Sequence, residues 1–137
     1  MNPKISINTT VQASTDKVWD CYTNPVHIIK WNFADLSWHC PSASNDLQIG
    51  GKYHARMEAI DGSFGFDLEA TYSKLELGKH FTYVMPNGRE VAVAFSNDNG
   101  ATLVNIEFDD DGENPIEMQK SGWQAILNNF KKYVETV

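Results

Sequence analysis

The C-terminal segment constrains this chain most. From Trp123 onward, Ile126, Leu127, Phe130, Tyr133, Val134 and Val137 recur at spacings of three and four, which places them on one stripe of a helix. Its start is marked by Asn114, Pro115, Ile116 and Glu117: a capping Asn, a proline at the first helical position and a Glu able to reach back to the cap. At 1.5 Å per residue, a helix over residues 115–137 runs about 34 Å, the span of a small domain. Seven apolar side chains at about 1.5–3 kcal/mol each carry on the order of 10–20 kcal/mol of gross transfer energy. Such a stripe has to be covered.

The cover is β-structure. Residues 4–11 alternate, with Ile5, Ile7, Thr9 and Val11 on one face. Ser14 then caps a helix carrying Val18, Trp19 and Tyr22, and Asn24-Pro25 ends that helix and opens a second, followed by Trp31. Residues 32–46 show no sustained period, contain Pro41 and several Ser and Asn, and read as a loop with anchored Phe33 and Trp38. After Gly50-Gly51 the period becomes two. Tyr53, Ala55, Met57 and Ala59 share a face, as do Phe64, Phe66, Leu68, Ala70 and Tyr72 in the next strand. Strands at 81–85, 91–95 and 102–108 follow, with hairpin signals at Asp61-Gly62, Asn87-Gly88 and 97–100. This order has no βαβ alternation, which excludes a parallel α/β sheet. The expected class is α+β: a curved antiparallel sheet wrapped around a long C-terminal helix, with two short helices after strand one and about five strands in the middle.

With 137 residues, 42% of them apolar, the chain suffices for one domain covering 1–137 with its own core. The balance of 11 Lys and Arg against 18 Asp and Glu gives a net charge of -7, which repels phosphate backbones and anionic lipid. Neither nucleic acid nor a membrane is an expected partner. The start at Met1-Asn2-Pro3-Lys4 has no apolar leader segment, so a cytoplasmic location is expected. Cys21 and Cys40 read as free thiols, since their spacing fits neither a disulfide framework nor a common zinc motif.

The order of elements resembles the helix-grip fold of the START-like (SRPBCC) superfamily, and the motifs resemble its AHSA1-like branch, named for the activator of Hsp90 ATPase. The carrying segments are Ala13-Ser14-Thr15-Asp16-Lys17-Val18-Trp19 with Thr23-Asn24-Pro25 and Trp31, then Asp46-Leu47-Gln48-Ile49-Gly50-Gly51-Lys52-Tyr53, and Gly122-Trp123 ahead of Leu127 and Tyr133. The resemblance covers the whole chain. It implies a cavity between sheet and last helix that holds an apolar or amphipathic small molecule, lipid-like or polyketide-like. A partnership with an Hsp90-type chaperone is not expected, because the eukaryotic activators carry a separate N-terminal domain. Whether the chain forms a homodimer stays open.

No HExxH, GxGxxG, Walker, GxSxG or CxxC motif is present, and no metal or cofactor is expected. His39 beside Cys40 lacks the further ligands of a tetrahedral set. Asp67 and Glu69 share the face opposite Phe66 and Leu68, so they should point outward, within reach of Arg56 across the hairpin. Gly122 beside Trp123 fits either a cavity or a close helix-sheet approach. In the register above, Tyr53, Met57, Phe66, Leu68, Tyr83, Met85, Val93 and Phe95 face inward. Trp31 and Trp38 join them from the segments before the meander, and Trp123, Leu127 and Phe130 from the stripe. Flexible thioethers and polar-tipped rings suit an adaptable apolar site. Binding without catalysis is the leading expectation. A cyclase- or hydratase-type enzyme, with Tyr53 and Tyr83 as proton-handling groups, and a chaperone-interaction module are the alternatives.

Overall fold

A computed structural model describes residues 4–137. The reading of an N-terminus without an apolar leader begins on residues 1–3, outside the described residues. The elements are β1 (Lys4–Val11), α1 (Thr15–Thr23), α2 (Pro25–Trp31), β2 (Trp38–Asn45), β3 (Lys52–Ala59), β4 (Gly65–Glu76), β5 (His80–Val84), β6 (Glu90–Asp98), β7 (Ala101–Asp109) and α3 (Ile116–Thr136). All strands pair antiparallel in one seven-stranded sheet of order β1-β7-β6-β5-β4-β3-β2. Strands two to seven form a meander, and β1 returns to pair with β7 in register from Lys4↔Asp109 to Val11↔Thr102. The expected α+β grip is the observed fold.

Local chemistry sets the element ends. The Ser14 hydroxyl accepts from the Lys17 amide at 3.3 Å to start α1, and the Asn24 side chain accepts from Val26 N at 3.1 Å to start α2, with Pro25 in its first turn. The β6–β7 hairpin turns on Asn99 and Gly100, both at positive φ (52° and 90°), as a two-residue turn of primed type requires. The Gly50-Gly51 pair has two separate causes. Gly50 sits at φ 82°, while a Cβ on Gly51 would lie 2.1 Å from the Asp46 carbonyl oxygen. Both residues then bond to the Tyr72 backbone, which fastens the β2–β3 loop to β4.

Two expectations are corrected. Residues 38–45, read as loop, form β2, so six strands follow the helices. An edge strand pairs on one side only, so Pro41 and the polar residues are tolerated there, with a register shift between His39 and Ser42 absorbing the proline. The start of α3 also differs. Asn114 does not cap it: Asp111 takes both the backbone and side-chain N–H of Asn114, at 2.9 and 2.8 Å. The turn is closed by buried Gln119, which accepts from Asp111 N and donates to Asp110 Oδ1 and the Asn114 carbonyl.

The concave face of the sheet meets α3 and the α1–α2 pair. Ile5, Ile7, Val91, Val93, Val104, Ile106 and Phe108 are buried there, as are Leu127, Phe130 and Val134 of α3. Trp123 stacks on Phe108 with centroids 4.1 Å apart. Lys131 donates to Thr10 O at 2.6 Å and to Glu135 at 2.7 Å, tying the end of α3 to β1. Gly122 faces outward with nothing within 4 Å of a Cβ position, so neither a cavity nor close helix-sheet approach accounts for it.

Candidate functional site

The core is solid on one side of the concave face and hollow on the other. Beneath α1 the rings interlock: Phe95 packs edge-on against Trp19 (5.2 Å) and Tyr22 (5.6 Å), and Phe130 against Trp31 (4.8 Å) and Tyr22 (5.0 Å). Val93 is buried in this half, between Phe81 and Ile106 in the ladder. Val93, Phe95 and Phe130 therefore lie on the inward face but do not line the hollow; they stand behind its wall, beside Ile106, Tyr22 and Trp31.

Toward β3 and β4 the sheet curls away from α3, leaving a cavity of about 150 Å³. Of the residues expected to line one, the structure brings Trp31, Tyr53, Met57, Phe66, Leu68, Tyr83, Trp123 and Leu127 together around it. Tyr22, Asn32, Ile106 and Ile126 complete the wall. Trp38 borders an adjoining chamber of about 160 Å³ with Phe33, Ala34 and Asp35, and the two chambers share Met57, Phe66 and Ile126. Met85 lies elsewhere. β5 pairs with β4 only over residues 71–76, leaving the first half of β4 without a partner on that side. Met85 and Pro86 border the resulting grooves, which are open and have charged groups such as Lys52 and Glu69 on their walls.

The inner chamber is apolar apart from three phenols and one amide. Asn32, buried, donates to the Tyr53 hydroxyl at 3.3 Å. Among the described residues the hydroxyls of Tyr22 and Tyr83 have no hydrogen-bond partner, yet no enclosed side-chain polar atom is left unsatisfied. These two hydroxyls therefore reach open space, which for Tyr83, only 4% exposed, is the cavity. Burial pushes the pKa values of Tyr22, Tyr53 and Tyr83 above the ordinary phenol value, so all three carry their protons at neutral pH. Among the described residues, no Lys, Arg, His, Asp or Glu lines the chamber. The neighbouring Tyr72 points to Asn45 instead, donating at 2.7 Å, and Asn45 donates to Thr23 O at 2.7 Å. That chain locks β2 and β4 to the α1–α2 corner.

The titratable groups weighed from sequence stand outside this chamber. Asp67 accepts from Arg56 at 3.1 Å and pairs with His54 at 2.9 Å on the convex face, where the alternation put it. His39 lies 3.7 Å from Glu58, while the adjacent Cys40 is buried. His27 bonds Tyr133 at 2.7 Å and lies 3.4 Å from Asp20, joining α1, α2 and α3. Among the described residues no three His, Cys, Asp or Glu side chains converge as metal ligands, and no helix is long and apolar enough to cross a membrane.

The family model described as "Activator of Hsp90 ATPase homolog 1-like protein" matches residues 12–135. The chain belongs to this AHSA1-like family. The structure is similar to a solution structure of an AHSA1-like protein from Aeromonas hydrophila, at 39% identity and TM-score 0.92 over 98% of this chain and 93% of that one. It is also similar to a Cytophaga hutchinsonii protein, at 41% identity and TM-score 0.84 over 97% and 92% of the two chains. A Chromobacterium violaceum protein shares the fold at 18% identity, TM-score 0.86, over 97% and 98%. A search of curated proteins gives no match. In this AHSA1-like chain the motif residues Gly50, Gly51, Asn24 and Trp31 hold the frame around the chamber, and only Trp31 also lines it.

Proposed function

We propose that this AHSA1-like protein binds an apolar small molecule in the inner chamber between β3–β4 and α3. The observation that carries the reading is the hollow itself: about 150 Å³ bounded by aromatic and aliphatic side chains, beside the interlocked rings under α1. Apolar cavities of about that volume accept a benzene-sized guest. The chamber in this conformation therefore matches a single ring and is too small for a whole sterol or acyl chain.

The polar groups support binding over proton transfer. Tyr53 and Tyr83, the residues best placed to handle protons, are held as neutral donors, and the chamber offers no base to take a proton from them. The test is thermal denaturation of the purified protein with a panel of small aromatic and aliphatic compounds, together with mass spectrometry of its organic extract. A ligand of the native state raises the melting temperature in proportion to the logarithm of its concentration. An unchanged melting temperature across the panel, with no co-purifying compound, refutes the reading.

A further inference from the structure

The chamber wall restricts what kind of molecule suits it. The proposed binding function is assumed here. Among the described residues no charged side chain lines the inner chamber, so an ionised group placed in it would lose its hydration without gaining a counter-ion. A pure hydrocarbon has the opposite fault. It would cover the Tyr22 and Tyr83 hydroxyls, which have no partner among the described residues, and leave them desolvated and unpaired. Tyr53, which accepts from Asn32, still has its own proton to donate. The uncharged polar groups belong to the inner chamber, its shared wall with the outer one is Met57, Phe66 and Ile126, and the outer chamber adds the exposed Asp35 carboxylate, which accepts from Ser37 N at 2.8 Å. Met57 is buried but is an unbranched thioether, the side chain best able to change rotamer within a core, and Phe66 is 45% exposed.

We propose that the site takes a neutral, elongated molecule that enters polar end first. A single ring carrying a hydroxyl or carbonyl lies in the inner chamber within reach of the Tyr22, Tyr53 and Tyr83 hydroxyls. Its apolar remainder passes Met57, Phe66 and Ile126 into the outer chamber, against Phe33 and Trp38. This orientation is opposite to that of a charged-headed lipid in a pocket, whose head group stays in water.

Four matched probes test it: phenol, 4-butylphenol, butylbenzene and 4-butylbenzoate, titrated into the full chain at pH 7 by calorimetry and by NMR of the tryptophan indole N–H signals. In the wild type, 4-butylphenol is expected to bind at least about tenfold tighter than butylbenzene, the worth of one good hydrogen bond. The benzoate is expected not to bind. Both phenols should shift Trp31 and Trp123, and only the butyl compound Trp38. In the Y22F/Y83F double variant the preference for 4-butylphenol over butylbenzene should shrink to what the remaining Tyr53 hydroxyl supplies. Equal binding of 4-butylphenol and butylbenzene to the wild type, or tightest binding of the benzoate, overturns the polar-end assignment while leaving the cavity reading intact. An unmoved Trp38 overturns the outer-chamber path. Binding by none of the four overturns the cavity reading itself. The wild-type series decides these points even where the double variant fails to fold.

Discussion

Two glycines show how differently one residue type is used. Gly51 is there for lack of room, with the Asp46 carbonyl oxygen 2.1 Å and the Gln48 carbonyl oxygen 2.9 Å from where a Cβ would stand. Those atoms are backbone and cannot swing aside. Gly51→Ala is expected to cost about 1–3 kcal/mol, as overpacking does, and to loosen the β2–β3 loop from Tyr72. Chemical denaturation measures the first effect and amide exchange at Tyr72 the second. Gly122 has the reverse character. It lies inside α3 with open space around it, so it gives up helix propensity for no contact the structure contains. Gly122→Ala is expected to stabilise the protein by about 0.5–1 kcal/mol, raising the denaturation midpoint without changing its slope. A loss of stability would show that Gly122 serves a close contact after all.

At the scale of elements, the turn before α3 is organised by one carboxylate. Asp111 accepts from the backbone of Asn114, from the Asn114 side chain and from Glu113 N, and these bonds hold its carboxyl at about 2, below the ordinary 3.8. A depressed folded-state pKa means that the stabilisation is complete above 3.8 and is lost as pH falls through about 2. The wild type should therefore lose stability relative to Asp111→Asn as pH is lowered from 5 toward about 2, because the amide keeps an acceptor oxygen but does not titrate. Denaturant melts of both proteins across that range check it, and parallel curves would contradict it. Sequence was a sound guide to periodic elements and a poor one to this turn. The stripe of α3 and the alternation of β3 to β7 follow from repeated burial, which many residues report together. The Asn114–Asp111 pairing depends on one turn conformation, and a cap-and-proline pattern does not reveal which acceptor wins. β2 escaped because an edge strand needs neither apolar alternation nor a proline-free run, and it joins the sheet through β3 alone.

The hollow is a property of the whole molecule, which is why facing could be read along the strands but lining could not. Val93, Phe95 and Phe130 point inward as surely as Tyr53 and Met57 do, yet the rings of Trp19, Tyr22 and Trp31 fill their half of the grip. Asn32 and Tyr22 came to the wall through the geometry of the α1–α2 corner, which no period encodes. This division makes the two halves separable by experiment. Leu127 and Val134 are both buried on α3, but only Leu127 borders the chamber. Leu127→Ala is expected to cost about 2–4 kcal/mol and to enlarge the existing cavity, whereas Val134→Ala opens a void within packed core. If the chamber is the binding site, 4-butylphenol should restore more of the melting temperature lost in Leu127→Ala than of that lost in Val134→Ala: binding stabilises either variant by linkage, but only the Leu127 truncation reshapes the chamber and so changes the dissociation constant that sets the gain. Equal recovery in both variants would place the bound molecule outside the chamber and return attention to the open grooves beside β4.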